Sequence, residues 1–391
     1  MVVATILEIL AAETAGKSYR ALKYELDTEV RSPYGHGEVN GQWQKTAETR
    51  PSRAYVDLSF VLNNQGFKES EPIFKYFLDG SRRVFKIDDM AYRHARDRSV
   101  LYPIIAGQIG VGCLKRVDKR MSVERYIGEI VLAVPALADP NNVPGFFEGL
   151  AKKMNETADR FQRVNCSLSK ILRYKTAKAA KSDDVKYEDL GIACVQDRMI
   201  EQEKVMVATL VRENKLRDDA FLVKDGSLEY RPDVRDDKQK ALRFRNNYRW
   251  VIGVSKKFNP EVCLDAKGKP NPGFIADLPL YQRTPVAEYT NAYLGDTKYA
   301  VWYVRLREQK RTRTAFDGIV KIEKILVTKD ELEYGMDSDL VDLISASIIN
   351  ERNPTCYGSD TRWANHIYPI YLTEEFVKSR YMSADSFVNL F

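Results

Sequence analysis

The tripeptide Asp-Gly-Ser occurs twice in this chain of 391 residues, and each copy follows a short apolar run. The first run leads to Asp79 and the second leads to Asp225. A short apolar run predicts a buried strand, and the glycine after it predicts the turn that ends the strand. Each aspartate is therefore expected at a strand end, with its carboxylate in a cleft. If the two strands are neighbours, the carboxylates lie together, as a divalent metal ion requires.

Asp-Gly is also a common turn dipeptide, because both residues tolerate a positive φ. A third copy, Asp317-Gly318, lies between two strand-like runs and is predicted to be such a turn. For Asp79 or Asp225 taken alone, a plain turn is the favoured interpretation. The context favours a site, because Asp225 precedes a basic segment instead of a matching strand. Asp79 precedes Arg82, a cation beside a predicted phosphate site.

Residues 187–214 follow a helical pattern, and one glutamate, Glu203, interrupts the apolar face of this predicted helix. Burying a carboxylate is costly unless a cation, a metal ion or hydrogen bonds accompany it. A metal ligand and an ion-paired glutamate are therefore equally weighted interpretations of Glu203. With Asp79 and Asp225 it forms an oxygen-only set, which favours Mg²⁺ or Mn²⁺. Two such ions would bind the attacking water and the leaving oxygen of a phosphodiester.

Residues 238–257 include seven lysines and arginines, no acid, and three interleaved aromatic residues. This pattern is typical of sequence-independent contact with DNA, because cations neutralise phosphates and aromatic rings stack on bases. A solvated charged face is the alternative, and it has about half the weight. A second basic cluster lies at 305–313. The predicted DNA-binding residues are Arg82, Arg243, Arg245, Arg249 and Lys257.

Two further residues are candidates for catalysis. Lys256 follows a strand predicted at 250–254 and is expected to face the same cleft as Asp225. His366, one of three histidines, comes just before a Tyr-Pro pair and a predicted C-terminal helix. It is a candidate metal ligand or proton-transfer group. A structural histidine that caps this helix is nearly as good an interpretation.

Composition argues against several classes of protein. The five cysteines are widely spaced and never form a CxxC pair, which argues against a zinc site and a disulfide framework and favours a reducing cytoplasm. We expect no signal peptide, and no apolar run reaches the roughly 20 residues that span a bilayer. A formal net charge of +6 permits a nucleic-acid partner without requiring one. The sequence has no P-loop, Rossmann fingerprint, HExxH or GxSxG motif.

The order of predicted elements indicates an α/β fold with a mixed sheet. In residues 71–391, three strand-like stretches, two helices, two further strands and a C-terminal helix follow one another. Residues 1–70 are predicted to form an N-terminal extension, helical over 1–30 and loop over 31–52, that contacts a partner. A charged, exposed insertion is predicted near 165–190.

Five segments taken in order resemble the NurA nuclease family. They are FLDGS at 77–81, the helix that carries Glu203, LVKDGSL at 222–228, VIGVSKK at 251–257 and HIYPIYL at 366–372. The resemblance covers roughly residues 70–391. It implies an RNase H-like core, related to the Piwi nuclease domain, in which a mixed sheet is flanked by helices and carries insertions.

The same resemblance implies an activity and partners. The family members are Mn²⁺-dependent (or Mg²⁺-dependent) DNA exonucleases and endonucleases. They form homodimers that dock on a hexameric HerA-type ATPase in DNA end processing during repair, or in antiviral defence. By position, Asp79 and Asp225 match the metal-binding aspartates of the family, and Glu203 matches its helical glutamate. Lys256 matches a strand lysine and His366 matches a late histidine.

Two questions stay open at the level of sequence. Glu201 or Asp197 are alternatives to Glu203 as the helical acid. The protein could also be a non-catalytic DNA-binding scaffold or adaptor of a translocase complex, with its aspartates as turn residues. The scaffold predicts salt-sensitive DNA binding that a chelator does not change. It is favoured if the three carboxylates do not come within reach of one metal ion.

Overall fold

The computed structural model describes residues 5–19, 21–26, 41–52, 54–94, 98–139, 141–176, 186–230, 238–265, 267–291, 297–354 and 363–391. These residues form an α/β fold in which one large mixed sheet is flanked by helices, as the sequence predicts. None of the helices they form is long and apolar enough to cross a membrane.

The helices of the described residues are α1 (Ile6–Glu13), α2 (Ser59–Asn63), α3 (Gln65–Glu69), α4 (Phe146–Thr157), α5 (Asp159–Arg163), α6 (Tyr187–Arg212), α7 (Lys238–Asn247), α8 (Pro272–Ala276), α9 (Lys329–Tyr334), α10 (Ser338–Asn350), α11 (Tyr368–Lys378) and α12 (Ala384–Val388). The strands are β1 (Lys17–Ser18), β2 (Tyr24–Glu25), β3 (Gly41–Thr46), β4 (Val56–Asp57), β5 (Phe74–His94), β6 (Arg98–Val117), β7 (Arg120–Pro135), β8 (Leu168–Tyr174), β9 (Phe221–Asp225), β10 (Val251–Ser255), β11 (Gln282–Arg283), β12 (Ala287–Asn291), β13 (Tyr299–Arg305) and β14 (Ile319–Ile325).

Five strands form the centre of the sheet, in the spatial order β10-β9-β5-β6-β7. β5, β6 and β7 are an antiparallel meander. β9 lies parallel to β5 on its other side, and β10 lies parallel to β9. Numbered along the chain, this order is 5-4-1-2-3, with the long helix α6 between the third and fourth strands. It is the RNase H-like arrangement that the sequence resemblance implies.

Further strands widen the sheet at both sides. β8 pairs parallel with β7, and on the opposite side β14, β13, β12 and β3 follow β10 with antiparallel pairing. β8 occupies part of the segment predicted as an exposed insertion near 165–190, and residues 177–185 lie outside the described residues. The two strand-like runs on either side of Asp317-Gly318 are confirmed as the antiparallel pair β13 and β14.

The first 70 residues differ from the predicted helix and loop. Of residues 1–30, which were predicted to be helical, only Ile6–Glu13 is a helix in the described part, and Thr5 and Glu8 form a capping box there. β1 and β2 pair with the far half of β5, and β3 pairs with β12. β5 is 21 residues long and β9 only five, so β5 extends beyond β9 with unpaired backbone groups. β1 and β2 satisfy those groups. Residues 27–30 of the predicted helix and 31–40 of the predicted loop lie outside the described residues.

The core has a layer on each face of the sheet, because successive strand residues point to opposite faces. Leu78 and Leu222 belong to the apolar cluster that includes Met206 of α6. Their neighbours Phe77 and Val223 belong to the cluster on the opposite face, which includes residues of α10 and α11. We call these the α6 face and the α11 face. The predicted helix at 187–214 is confirmed as α6.

Candidate active site

The two Asp-Gly-Ser segments have different structures. Asp225 is the last residue of β9, and Gly226 turns the chain with a φ of +85°, as predicted. The prediction that Asp79 ends its strand is wrong, because β5 continues through Gly80, which pairs with Val111 of β6. The long partner β6 supplies backbone hydrogen bonds on both sides of this glycine. The parallel pairing of Leu78 with Lys224 still brings Asp79 and Asp225 together, as the sequence predicts for neighbouring strands.

Gly80 is needed to make room for Glu203. A Cβ atom at residue 80 would lie 2.5 Å from Glu203 Oε1. Real Cβ atoms essentially never come this close to another heavy atom. The absence of a side chain at Gly80 thus allows the carboxylate of α6 to approach the backbone of β5 next to Asp79. In the first Asp-Gly-Ser, the glycine allows a close contact with Glu203 and does not form a turn.

The candidate carboxylates come from opposite faces of the sheet. Gly112 pairs with Asp79 in the antiparallel ladder, and a Cβ at residue 112 would meet Val377 of α11. Asp79 therefore points to the α11 face, and Asp225, two residues after Val223, points to the same face. Glu203 reaches the end of β9 from the α6 face. Glu203 thus approaches the site from the face opposite to the two aspartates.

On the α11 face, Lys256 lies between two carboxylates. Its Nζ is 3.0 Å from Asp225 Oδ2 and 3.4 Å from Glu374 Oε2. Glu374 belongs to α11 and is nearly buried. Its other oxygen accepts a hydrogen bond of 2.7 Å from Lys378, which is half-exposed. The Lys256 ammonium is thus neutralised jointly by a carboxylate at the end of β9 and a carboxylate of α11.

On the α6 face, Lys224 is the counter-ion of Glu203. Lys224 Nζ lies 3.2 Å from Glu203 Oε2, and both side chains are almost fully buried. The same ammonium donates hydrogen bonds to the carbonyl oxygens of Asp225 at 2.8 Å and Ser227 at 3.2 Å. It also lies over the ring of Tyr230. Lys224 therefore holds the turn after β9 as well as the glutamate.

The site carries more acidic than basic side chains, and two of its acids have raised pKa values. Burial raises the pKa of Asp79 well above its usual range, the Asp225 charge raises it further, and Lys256 opposes the rise. Burial also raises the pKa of Glu203, and Lys224 opposes this. Among the described residues, no hydrogen bond or ion pair reaches the Asp79 carboxylate. Three buried acids, Asp79, Glu203 and Glu374, and the half-buried Asp225 outnumber the cations Lys224 and Lys256 beside them.

A single cavity of about 440 Å³ connects both faces at the ends of β9 and β10. Its wall includes the three predicted acids, both lysines, and the turn after β9. On the α6 side, Met199 and Ile200 give it an apolar patch. The cavity therefore combines carboxylates, ammonium groups and apolar surface in one place. Its charged lining residues include Asp79, Glu203, Lys224, Asp225, Lys256 and Lys257.

These residues meet some of the requirements of a divalent metal site. Within the part of the chain that the structure describes, no three His, Cys, Asp or Glu side chains form a group that could hold a metal ion. The reason is geometric, because Glu203 is on the other face from Asp79 and Asp225 and is paired with Lys224. Mg²⁺ is usually held by only one or two carboxylates together with substrate phosphates. Asp79 and Asp225 supply such a pair, so the donor chemistry fits Mg²⁺ or Mn²⁺.

The other predicted acids and the histidine lie elsewhere. Glu201 is half-exposed and forms an ion pair of 2.7 Å with Arg198, and Asp197 is exposed, so Glu203 is the acid of α6 that lines the cavity. His366 is buried just before α11, where its ring makes an edge contact with Tyr371. It is not among the residues that line the cavity. A role for His366 in the reaction rests on the sequence resemblance.

Of the predicted DNA-binding residues, two lie at the cavity and three do not line it. Lys257 is exposed at its wall, and Arg82 donates a hydrogen bond of 2.5 Å to Gln196, which also lines it. The other three belong to α7 and the turn after it. Arg243 and Arg249 are exposed, and Arg245 is half-buried.

The second basic cluster contains a structural residue. Arg305 is buried and donates hydrogen bonds to the carbonyl oxygens of Ala276 and Ala315. Its guanidinium therefore holds loops together and is not available to DNA. Lys310 and Arg311 of the same cluster are exposed and pair with Glu308.

Comparisons with known proteins complete the description. No family model and no curated protein matches the chain. Among solved structures, the chain is similar to the crystal structure of the NurA nuclease from Sulfolobus solfataricus, at 11% sequence identity and a TM-score of 0.39. The match covers 81% of this chain and 82% of that chain. At this identity and TM-score, the likeness assigns neither a family nor an activity.

Sequence reasoning missed two charged residues of the site. Lys224 had a usable signal, because a lysine in the apolar run before Asp225 needs a buried partner. Glu374 had a weaker signal, because Glu374 and Glu375 are adjacent and only the helix orientation shows which of them is buried. Only the packing of α6 and α11 against the sheet shows that both side chains belong to the site.

Proposed function

We propose that the protein is a metal-dependent DNA nuclease that hydrolyses phosphodiester bonds. The observation that carries the proposal is the pair of carboxylates at Asp79 and Asp225. They come from adjacent parallel strands, point to one face, and line a cavity together with Lys256. Asp79 is buried, and its pKa is raised by burial and by Asp225. Lys256 neutralises Asp225, and a second cation would favour the charged form of the buried Asp79 beside it.

Each residue has a proposed role. Asp79 and Asp225 would hold Mn²⁺ or Mg²⁺. A bound ion of this kind makes water a stronger nucleophile and neutralises phosphate charge. Glu203 is the proposed third carboxylate, and it can contribute only if Lys224 releases it. Lys256 would stabilise the negative charge that develops on the phosphate during attack. His366 remains a proposed proton-transfer residue.

The surface next to the cavity suits a nucleic acid. Arg82 and Lys257 lie at the cavity, and Arg243, Arg245 and Arg249 extend the positive charge along α7. We propose that these five residues contact phosphates of the DNA strand. Contacts of this kind are independent of sequence and weaken as salt increases.

The proposal is tested by incubating labelled single-stranded and double-stranded DNA with the protein and Mn²⁺, Mg²⁺ or a chelator. We expect cleavage with metal and none with chelator. Asp79→Asn and Asp225→Asn should each lower the rate at least about 10²-fold, because each removes a charge that acts on the transition state. Asp219→Asn is the matched control, since Asp219 lies just before β9 and is exposed. Asp79→Asn and Asp225→Asn variants that cut like the parent would refute the assignment.

A DNA-binding scaffold is the second candidate. It is favoured by the finding that no three potential ligands are grouped around one point in the described residues. The scaffold predicts DNA binding that is sensitive to salt, unchanged by chelator, and without cleavage products. The same incubation separates the candidates, because only the nuclease yields shortened DNA.

The partners are a separate proposal that rests on the sequence resemblance. We propose a homodimer that works with a hexameric HerA-type ATPase in DNA end processing or antiviral defence. The mass of the protein in solution tests the dimer. Co-purification with the ATPase of a neighbouring gene tests the complex. A monomer that binds no ATPase would remove this part of the proposal without affecting the cleavage test.

A further inference from the structure

We propose that Glu374 of α11 is a positioning residue that acts through Lys256. It gives the Lys256 ammonium a second carboxylate partner, so that Asp225 can bind a divalent cation while Lys256 stays in the site. This inference rests on the proposed function, because it describes how that site accepts its metal ion.

The geometry places Lys256 between two acids on one face of the sheet. Its Nζ is 3.0 Å from Asp225 Oδ2 and 3.4 Å from Glu374 Oε2. The side chains of Lys256 and Glu374 are 5% and 11% exposed, so solvent screens neither of them strongly. Next to them is Asp79, a buried carboxylate that lines the cavity and that no hydrogen bond or ion pair reaches from the described residues.

The close approach of α11 to the sheet creates this arrangement. Gly110 and Gly112 of β6 face α11, and a Cβ at either residue would lie within 2.7 Å of Val377. Gly112 pairs with Asp79 across the ladder. The helix can therefore rest directly on the strand next to Asp79, which brings Glu374 within reach of Lys256.

Charge bookkeeping explains why Glu374 matters for metal binding. A divalent cation bound to Asp225 would be neutralised by the same carboxylate charge that otherwise neutralises Lys256. If the Glu374 carboxylate were removed, Lys256 would compete more strongly with the cation for Asp225, because a buried ammonium is costly unless it is neutralised. Glu374 removes this competition because it remains beside Lys256. Lys378 also contacts Glu374, at its other oxygen. Because Lys378 is half-exposed, solvent screens this ion pair.

The test measures Mn²⁺ binding by calorimetry on the full chain without DNA. We expect Glu374→Gln to weaken binding by about 10-fold or more, a free-energy change of about 1.4 kcal/mol. Lys256→Met should bind Mn²⁺ at least as well as the parent. The double variant should bind like Lys256→Met, because the Lys256 ammonium through which Glu374 is proposed to act is gone. Glu375→Gln is the control, since it removes the same charge from an exposed neighbour on α11.

Two results would overturn the inference. Binding by Glu374→Gln equal to that of the parent would show that the residue is only structural. A double variant as weak as Glu374→Gln would show that Glu374 binds the ion itself.

A thermal double-mutant cycle without metal gives an independent readout. Additive changes in melting temperature for Glu374→Gln and Lys256→Met would also contradict the pairing. If the parent bound no Mn²⁺, the proposed function would fail, and this cycle would still decide whether the two residues are coupled.

Discussion

At the scale of single residues, the site is a set of buried charges that compensate one another incompletely. Lys224 neutralises Glu203, and Lys256 lies between Asp225 and Glu374. Asp79 has no comparable partner among the described residues. Its pKa is raised because burial penalises its charged form and because Asp225 is close. A charge that costs stability in the absence of a ligand is typical of a functional site.

This charge predicts a dependence of stability on pH. The pKa of Asp79 is higher in the folded protein than in the unfolded chain, where it is about 3.9. Between these two values the folded state binds more protons, so the free energy of unfolding falls as pH rises through that window. We expect Asp79→Asn to remove this fall. In chelator at pH 7, the variant should be more stable than the parent by about 1 kcal/mol or more.

Urea unfolding at pH 4, 5.5 and 7 measures this effect. Asp219→Asn is the control, because an exposed aspartate should leave the pH dependence of the parent unchanged. If the free energies of unfolding of the parent and Asp79→Asn changed in parallel with pH, the surroundings would not raise the pKa of Asp79.

At the scale of elements, glycines in β6 set the distance between the sheet and its two functional helices. Gly107 faces α6, and a Cβ there would lie 2.7 Å from Val195. Gly110 and Gly112 face α11 in the same way. One strand thus positions both helices, and those helices carry Glu203 and Glu374. The spacing of the glycines in β6 therefore controls the depth at which each acid enters the site.

Gly112→Ala tests this control. The new Cβ would lie 2.6 Å from Val377 Cγ2, so α11 has to shift. We expect a loss of about 1–3 kcal/mol in the free energy of unfolding, as for other overpacked cores. Adding Val377→Ala should recover part of the loss, because it removes the clashing methyl group.

The matched control for this substitution is Gly149→Ala in α4. A Cβ at Gly149 meets nothing within 4 Å. Because alanine favours the helix more than glycine does, we expect this change to stabilise the protein by up to about 1 kcal/mol. Equal losses for Gly112→Ala and Gly149→Ala would contradict the packing argument. Both free energies come from urea unfolding at one pH.

At the scale of the whole molecule, positive charge is in excess, and part of it lies on α7 and the turn after it. The chain has a formal net charge of +6, and α7 packs through Phe244 against Tyr230, which lines the cavity. The cavity itself is rich in acids. A polyanion is therefore attracted to the surroundings of the site, while the site retains the negative charge that a cation needs.

The triple variant Arg243→Ala, Arg245→Ala, Arg249→Ala tests this surface. Each lost phosphate contact should lower the slope of log affinity against log salt by about one. We expect weaker binding to all DNA sequences alike, measured by anisotropy over a range of salt concentrations. A control triple of equal charge, Lys152→Ala, Lys153→Ala, Arg163→Ala, removes exposed cations on α4 and α5. Equal salt slopes for the two triples would exclude α7 as the DNA-binding surface.

Local pattern was enough for much of the fold. The periodicity of residues 187–214 predicted α6, and the apolar runs before Asp79 and Asp225 predicted β5 and β9. Short-range preferences decide such elements, because apolar spacing determines which face of a helix or strand is buried. The sequence also predicted that Asp79 and Asp225 would meet if their strands were neighbours, and they are.

Tertiary contacts decided the rest. Asp79 lies in mid-strand because β6 pairs with β5 on both sides of Gly80, which no local rule for Asp-Gly can show. β1 and β2 formed because β5 extends past the end of β9. The sequence by itself determined which strands carry the aspartates, since burial of apolar runs is a local property. Only the packing of α6 and α11 on opposite faces decided that Glu203 pairs with Lys224 and that Glu374 reaches Lys256. Contacts between residues far apart in the chain depend on how whole elements pack.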